Sequence, residues 1–127
     1  MPGLILVSSG RVIAESVVWA RTPVERMRGL LGSSPQASEA LIIAGARQVH
    51  TFGMRYPIDV LFVDLDWTVC RVVVAMAPRR VTTWVRRARY ALELAAGPIG
   101  DQAILGERLA VVDLPIAQAR DRPSRSR

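Results

Sequence analysis

Apolar residues along this chain fall in short runs rich in Val and Ile, bounded by Gly, Pro or charged residues, a pattern of strands rather than long helices. Strands are expected at Leu4–Val7, Arg11–Trp19, Ala40–Ala44, Ile58–Leu65, Thr68–Met76, Val81–Val85, Tyr90–Leu94 and Arg108–Leu114. That spacing predicts a mainly β fold, a single small β-sandwich or partly closed barrel. The acidic pair in Asp64-Leu65-Asp66-Trp67 separates two strong runs, so residues 58–76 are expected to form a hairpin through that turn. One short helix is expected near residues 23–31. Thr22 can cap it, Pro23 suits its first position, Glu25 completes a capping box and Gly32 can end it. Val24, Met27, Leu30 and Leu31 would then share the face laid against the sheet. A second short helix or turn is expected over Gly100–Leu105.

Strand alternation exposes the first chemical anomaly. From Ile58 onward, Ile58, Val60 and Phe62 share one side, while Asp59 joins Leu61, Val63 and Leu65 on the other. Glu93 likewise sits between Ala91 and Ala95, opposite to Tyr90, Leu92 and Leu94. A carboxylate on an apolar face costs several kcal/mol unless a cation and hydrogen bonds satisfy it, and Arg28 and Arg55 are the nearest candidates. Two acids and two arginines are therefore expected to form a half-buried network.

The run from Gln48 to Asp64 adds the only histidine, His50, with Phe52, Met54 and Tyr56 around a Pro57 corner. The candidate ligand-binding residues are Arg28, His50, Phe52, Met54, Arg55, Asp59 and Glu93. No catalytic constellation accompanies them: there is no Gly-rich phosphate loop and no recognisable Ser-His-Asp arrangement. One His and one Cys, twenty residues apart, do not make a metal site, and no cofactor is expected. Cys70, in a Val-rich run, reads as a small buried thiol.

With 127 residues the chain suits one domain, expected over residues 1–119. The stretch from Arg120 reads Arg-Asp-Arg-Pro-Ser-Arg-Ser-Arg, without an apolar residue, and is expected to be a disordered Arg-rich tail. That tail supplies +3 of the formal +6, so the body is only mildly basic. All seventeen basic residues are arginine, a uniformity that genome base composition explains more simply than phosphate recognition. The segment Arg79–Arg89 interleaves five arginines with Trp84, yet in one continuous strand alternation would split them between two faces. Nucleic-acid binding is accordingly not expected. The start, Met1–Ser9, has no basic n-region and an apolar run of only four, so neither a signal peptide nor a membrane contact is expected and the location is read as cytoplasmic.

These elements together resemble the bacterial and archaeal family called domain of unknown function 192. The resemblance rests on Ala20-Arg21-Thr22-Pro23 with Arg26-Met27-Arg28-Gly29-Leu30-Leu31, on Phe52 through Asp64, on Ala77-Pro78, on Tyr90 through Gly97, and on Ile104-Leu105-Gly106-Glu107. It implies a small β-sandwich-like domain with a short helix and no known activity. The family's common Phe-Trp-Met reads Phe52-Gly53-Met54 here, and its late Gly-Asp reads Gly106-Glu107. The function expected is a non-catalytic binding or accessory module with a polar pocket near Met54–Asp59, its partner an unidentified small molecule or peptide. A hydrolase or lyase using Asp59 or Glu93 as general base is the first alternative, and a nucleic-acid-associated protein using Arg79–Arg89 the second. The sequence sets no oligomeric state.

Overall fold

A computed structural model of the chain describes residues 1–20, 38–97, 99 and 103–115. Eight strands are described: β1 (Pro2–Leu6), β2 (Val12–Ala14), β3 (Ser16–Ala20), β4 (Glu39–Ala44), β5 (Ile58–Val63), β6 (Val69–Met76), β7 (Tyr90–Ala95) and β8 (Leu109–Asp113). They form two sheets, a three-stranded one in the order β2-β1-β8 and a five-stranded one in the order β3-β4-β7-β5-β6. The architecture is the expected β-sandwich, and the sheets do not close into a barrel. The helix expected at 23–31, with Arg28, lies outside the described residues. Of Gly100–Leu105, the described part belongs to a turn, closed by the Glu107 N–H donating to Ile104 O.

Two expected strands are corrected. The single run Arg11–Trp19 divides at Glu15, where the chain leaves the small sheet as β2 and joins the large one as β3. At the crossing, the N–H groups of Glu15 and Ser16 both donate to Ser38 O rather than to a continuing ladder. Val81–Val85 is not a strand: only Val81 bridges, to His50. Its residues serve another purpose, since Val85 is buried, as is Ala88 just beyond it, and the Val49 N–H donates to Thr82 Oγ1. That segment covers a face of the sheet instead of extending it.

β5 explains why the fold has two apolar layers. All six of its residues are buried, so it is sandwiched on both faces. On one side, Leu61 and Val63 join Leu4, Leu6 and Ile13 of the small sheet with Ile42, Leu92 and Leu94 in the core between sheets. On the other side, Ile58, Val60 and Phe62 join Leu41, Ile43 and Ala91 with Ala46, Val49 and Met54 of the β4–β5 loop and Val85 and Ala88. Burying each of these large side chains contributes about 1.5–3 kcal/mol. The central strands β7 and β5 carry both layers, and the two acids lie within them.

Candidate functional site

Register decides what the acids can do. Across the β5–β7 ladder Asp59 pairs with Leu94, and Val60 pairs with Glu93. Directly opposite residues share a face, so Asp59 belongs to the inter-sheet side with Leu94 and Glu93 to the outer layer with Val60. The expected four-membered network is therefore corrected: the two carboxyls project from opposite faces of one sheet. Nothing in the period of either strand reveals this, because the pairing register is a tertiary property.

Asp59 is fully buried and hydrogen-bonded to backbone alone among the described residues. Its Oδ1 accepts from the Ala75 N–H at 2.8 Å, and its Oδ2 from the Gly97 N–H at 3.2 Å. Both donors sit where ladders fail. Between Ile58↔Met76 and Val60↔Val73 strand β6 holds one extra residue, and Ala75 there has φ 50°. The Gly97 donor follows the end of β7, at φ 127°. Asp59 thus supplies the acceptors that a bulge and a strand end would otherwise lack. Arg55 is exposed on the β4–β5 loop and makes no ion pair with either acid.

Glu93 is the opposite case. It lies mid-strand in β7, flanked in register by Leu41 of β4 and Val60 of β5. The residue is fully buried, and neither carboxyl oxygen has a hydrogen-bond partner among the described residues. Burial alone pushes its pKa up to about 8. At neutral pH this group is a carboxylic acid, a donor and an acceptor in an apolar layer.

The remaining candidates line the loop that closes over this layer. Met54 is buried in the same cluster as Leu41 and Val60. His50 is half-buried, with a buried Nδ1 lacking a partner among the described residues, and its ring lies 5.4 Å from that of Phe52. Phe52 itself is exposed. Thr51, which the sequence did not single out, holds the loop: its hydroxyl donates to Ala77 O at 2.6 Å and accepts from the Arg80 N–H at 2.9 Å. No group of three or more His, Cys, Asp or Glu suited to a metal occurs among the described residues. Cys70 is partly exposed, and burial, followed by the Asp64 charge, pushes its thiol up, away from the reactive thiolate.

The DUF192 family profile, described as an uncharacterised ACR, matches residues 5–111. This chain belongs to the DUF192 family. The DUF192 match runs from within β1 to within β8 and includes Asp59 and Glu93. Two solved structures share the fold. One is a candidate transcription regulator from Sinorhizobium meliloti 1021, 25% identical, with a TM-score of 0.69 over 87% of this chain and 91% of that one. The other, a protein of unknown function from Novosphingobium aromaticivorans DSM 12444, is 20% identical, with a TM-score of 0.69 over 86% and 82%. No curated protein is a significant match. Among the described residues of this DUF192 chain, no helix is long and apolar enough to cross a membrane.

Proposed function

We propose that this DUF192 protein is a non-catalytic binding module whose recognition group is the neutral Glu93 carboxyl. One observation carries the reading: a fully buried carboxyl with neither oxygen hydrogen-bonded among the described residues. Native interiors rarely leave such groups unsatisfied, because each costs about 1–3 kcal/mol. A small guest presenting an amide or a carboxylic acid would supply both missing bonds. His50 Nδ1, buried and likewise without a partner among the described residues, offers a second polar contact on the covering loop, and Phe52 and Arg55 form its exposed rim.

A hydrolase or lyase with an acidic general base is less well supported. Glu93, with a pKa near 8, holds its proton at neutral pH, and both oxygens of Asp59 are engaged by backbone N–H groups. The test is a thermal-shift and calorimetric screen with small amides and carboxylic acids at pH 6, repeated on Glu93→Leu and Glu93→Gln. Guests that stabilise the wild-type protein should lose their effect on Glu93→Leu. Equal binding to both proteins would remove Glu93 from the site.

A further inference from the structure

The hairpin end of the sandwich holds a feature that the reading above does not use. Two grooves adjoin there. The larger, about 520 Å3, is walled in part by Trp19, Leu65 and Trp67, with Asp66 and Arg108. The smaller, about 300 Å3, is walled by Asp64, Leu65, Asp66, Arg86, Arg87 and Arg89. Leu65 and Asp66 belong to both, so an aromatic hollow and an arginine-lined one adjoin at the hairpin tip.

The tip is held stiffly. Trp67 N–H donates to Asp64 O, and Asp64 Oδ1 accepts from the N–H groups of Asp66 and Thr68, at 2.9 and 3.0 Å. Trp67 itself stands at φ 63°, a conformation better suited to glycine. Its indole is pinned against Tyr90 at 4.7 Å and Trp19 at 6.2 Å between ring centroids. A bulky ring stands where the backbone prefers none, and it walls the groove.

The polar walls differ in what they have left to give. Asp64 already accepts two turn bonds, and Arg89 Nη1 donates to Ala88 O at 3.1 Å. Arg86, Arg87 and Asp66 are exposed, and neither the two guanidinium groups nor the Asp66 carboxylate makes a hydrogen bond or ion pair among the described residues. The expected alternation of the Arg79–Arg89 segment does not apply, because the segment is not a strand. Three of its arginines therefore line one groove.

We propose that this double groove binds a 5′-ribonucleotide. The base lies against Trp67, where any planar ring can stack. The phosphate meets Arg86 and Arg87, whose forked donors suit its oxygens. Asp66, shared by the two hollows, accepts the ribose hydroxyls between them. The aspartate also argues against a bare aliphatic anion or an inorganic anion, which it repels without any hydroxyl to compensate. A hollow of this volume is within the ordinary range for small-molecule sites.

The test is titration of the full chain with adenosine 5′-monophosphate, followed by tryptophan fluorescence and calorimetry. Saturable binding is expected, stronger than for the 2′,3′-dideoxy nucleotide or for inorganic phosphate. The double variant Arg86→Ala/Arg87→Ala should weaken the monophosphate by about tenfold or more while leaving adenosine unchanged. Asp66→Asn should erase the preference for the ribose over the dideoxy sugar. Trp67→Phe, with folding checked by circular dichroism, keeps a ring and should weaken both the nucleotide and the nucleoside. The proposal is overturned by absence of saturable binding at millimolar nucleotide, by binding indifferent to the arginine and tryptophan variants, or by binding of a single-stranded RNA where the mononucleotide does not bind.

Discussion

Asp59 and Glu93 lie on adjacent central strands, one residue out of register with each other, and both are fully buried. Their chemistry is nevertheless opposite. Asp59 meets two backbone N–H groups left over by a bulge and a strand end, so its place in the fold supplies donors. Glu93 sits mid-strand, where the neighbouring N–H groups serve the ladder and the flanking side chains are Leu41 and Val60. Burial alone does not define a carboxyl's role. What decides it is whether the local backbone has donors to spare.

The largest effect that would break this contrast is expected from Asp59→Ala. Removing the carboxylate orphans the Ala75 and Gly97 N–H groups together, and urea denaturation should show a loss of about 3–5 kcal/mol. A loss below about 1 kcal/mol would mean that water or a neighbour replaces the clamp.

Glu93 predicts an inverse pH dependence. Its folded pKa of about 8 lies above the ordinary glutamate value of 4.5, so the folded state keeps the proton longer than the unfolded one. The stabilisation this confers is complete below about pH 4.5 and is lost as pH rises toward 8, by several kcal/mol in all. Compared with wild type, Glu93→Gln should flatten the pH dependence of the denaturation midpoint between pH 5 and 8.5. Parallel curves for the two proteins would show that Glu93 ionises normally.

Asp59→Asn is a finer probe. The amide oxygen can still accept from one N–H, but its NH2 group faces the other donor, so about 1–3 kcal/mol should be lost, less than for alanine. Equal losses would point to shape rather than to the two acceptors. The smallest effect belongs to Ala75→Gly, which relieves φ 50° at the bulge. Partly offset by the freer unfolded chain, it should stabilise by no more than about 1 kcal/mol in the same assay. A destabilised variant would show that the alanine methyl packs usefully there.

Much of this molecule is legible in its sequence. Periodicity marked the apolar runs of β1 and β4 to β8, because each strand carries its own alternation and its own bounding Gly, Pro or charge. The same periodicity marked Asp59 and Glu93 as acids out of place. It misjudged Val81–Val85, whose residues are strand-like in composition but bond to the Arg47–Thr51 stretch over the outer layer rather than join either sheet. It also ran β2 and β3 together, since Glu15 carries no Gly or Pro to announce the change of sheet.

What the tertiary structure alone decided was pairing. Strand order put β7 between β4 and β5, and that register sent two carboxyls to opposite faces and set a bulge N–H beside one of them. It also gathered Trp19, Trp67 and Tyr90, from three separate elements, at the hairpin end. A residue's alternation along its own strand follows from covalent geometry and is written locally. Which strand lies beside it depends on how the whole chain buries its apolar surface, and no local stretch of sequence carries that information.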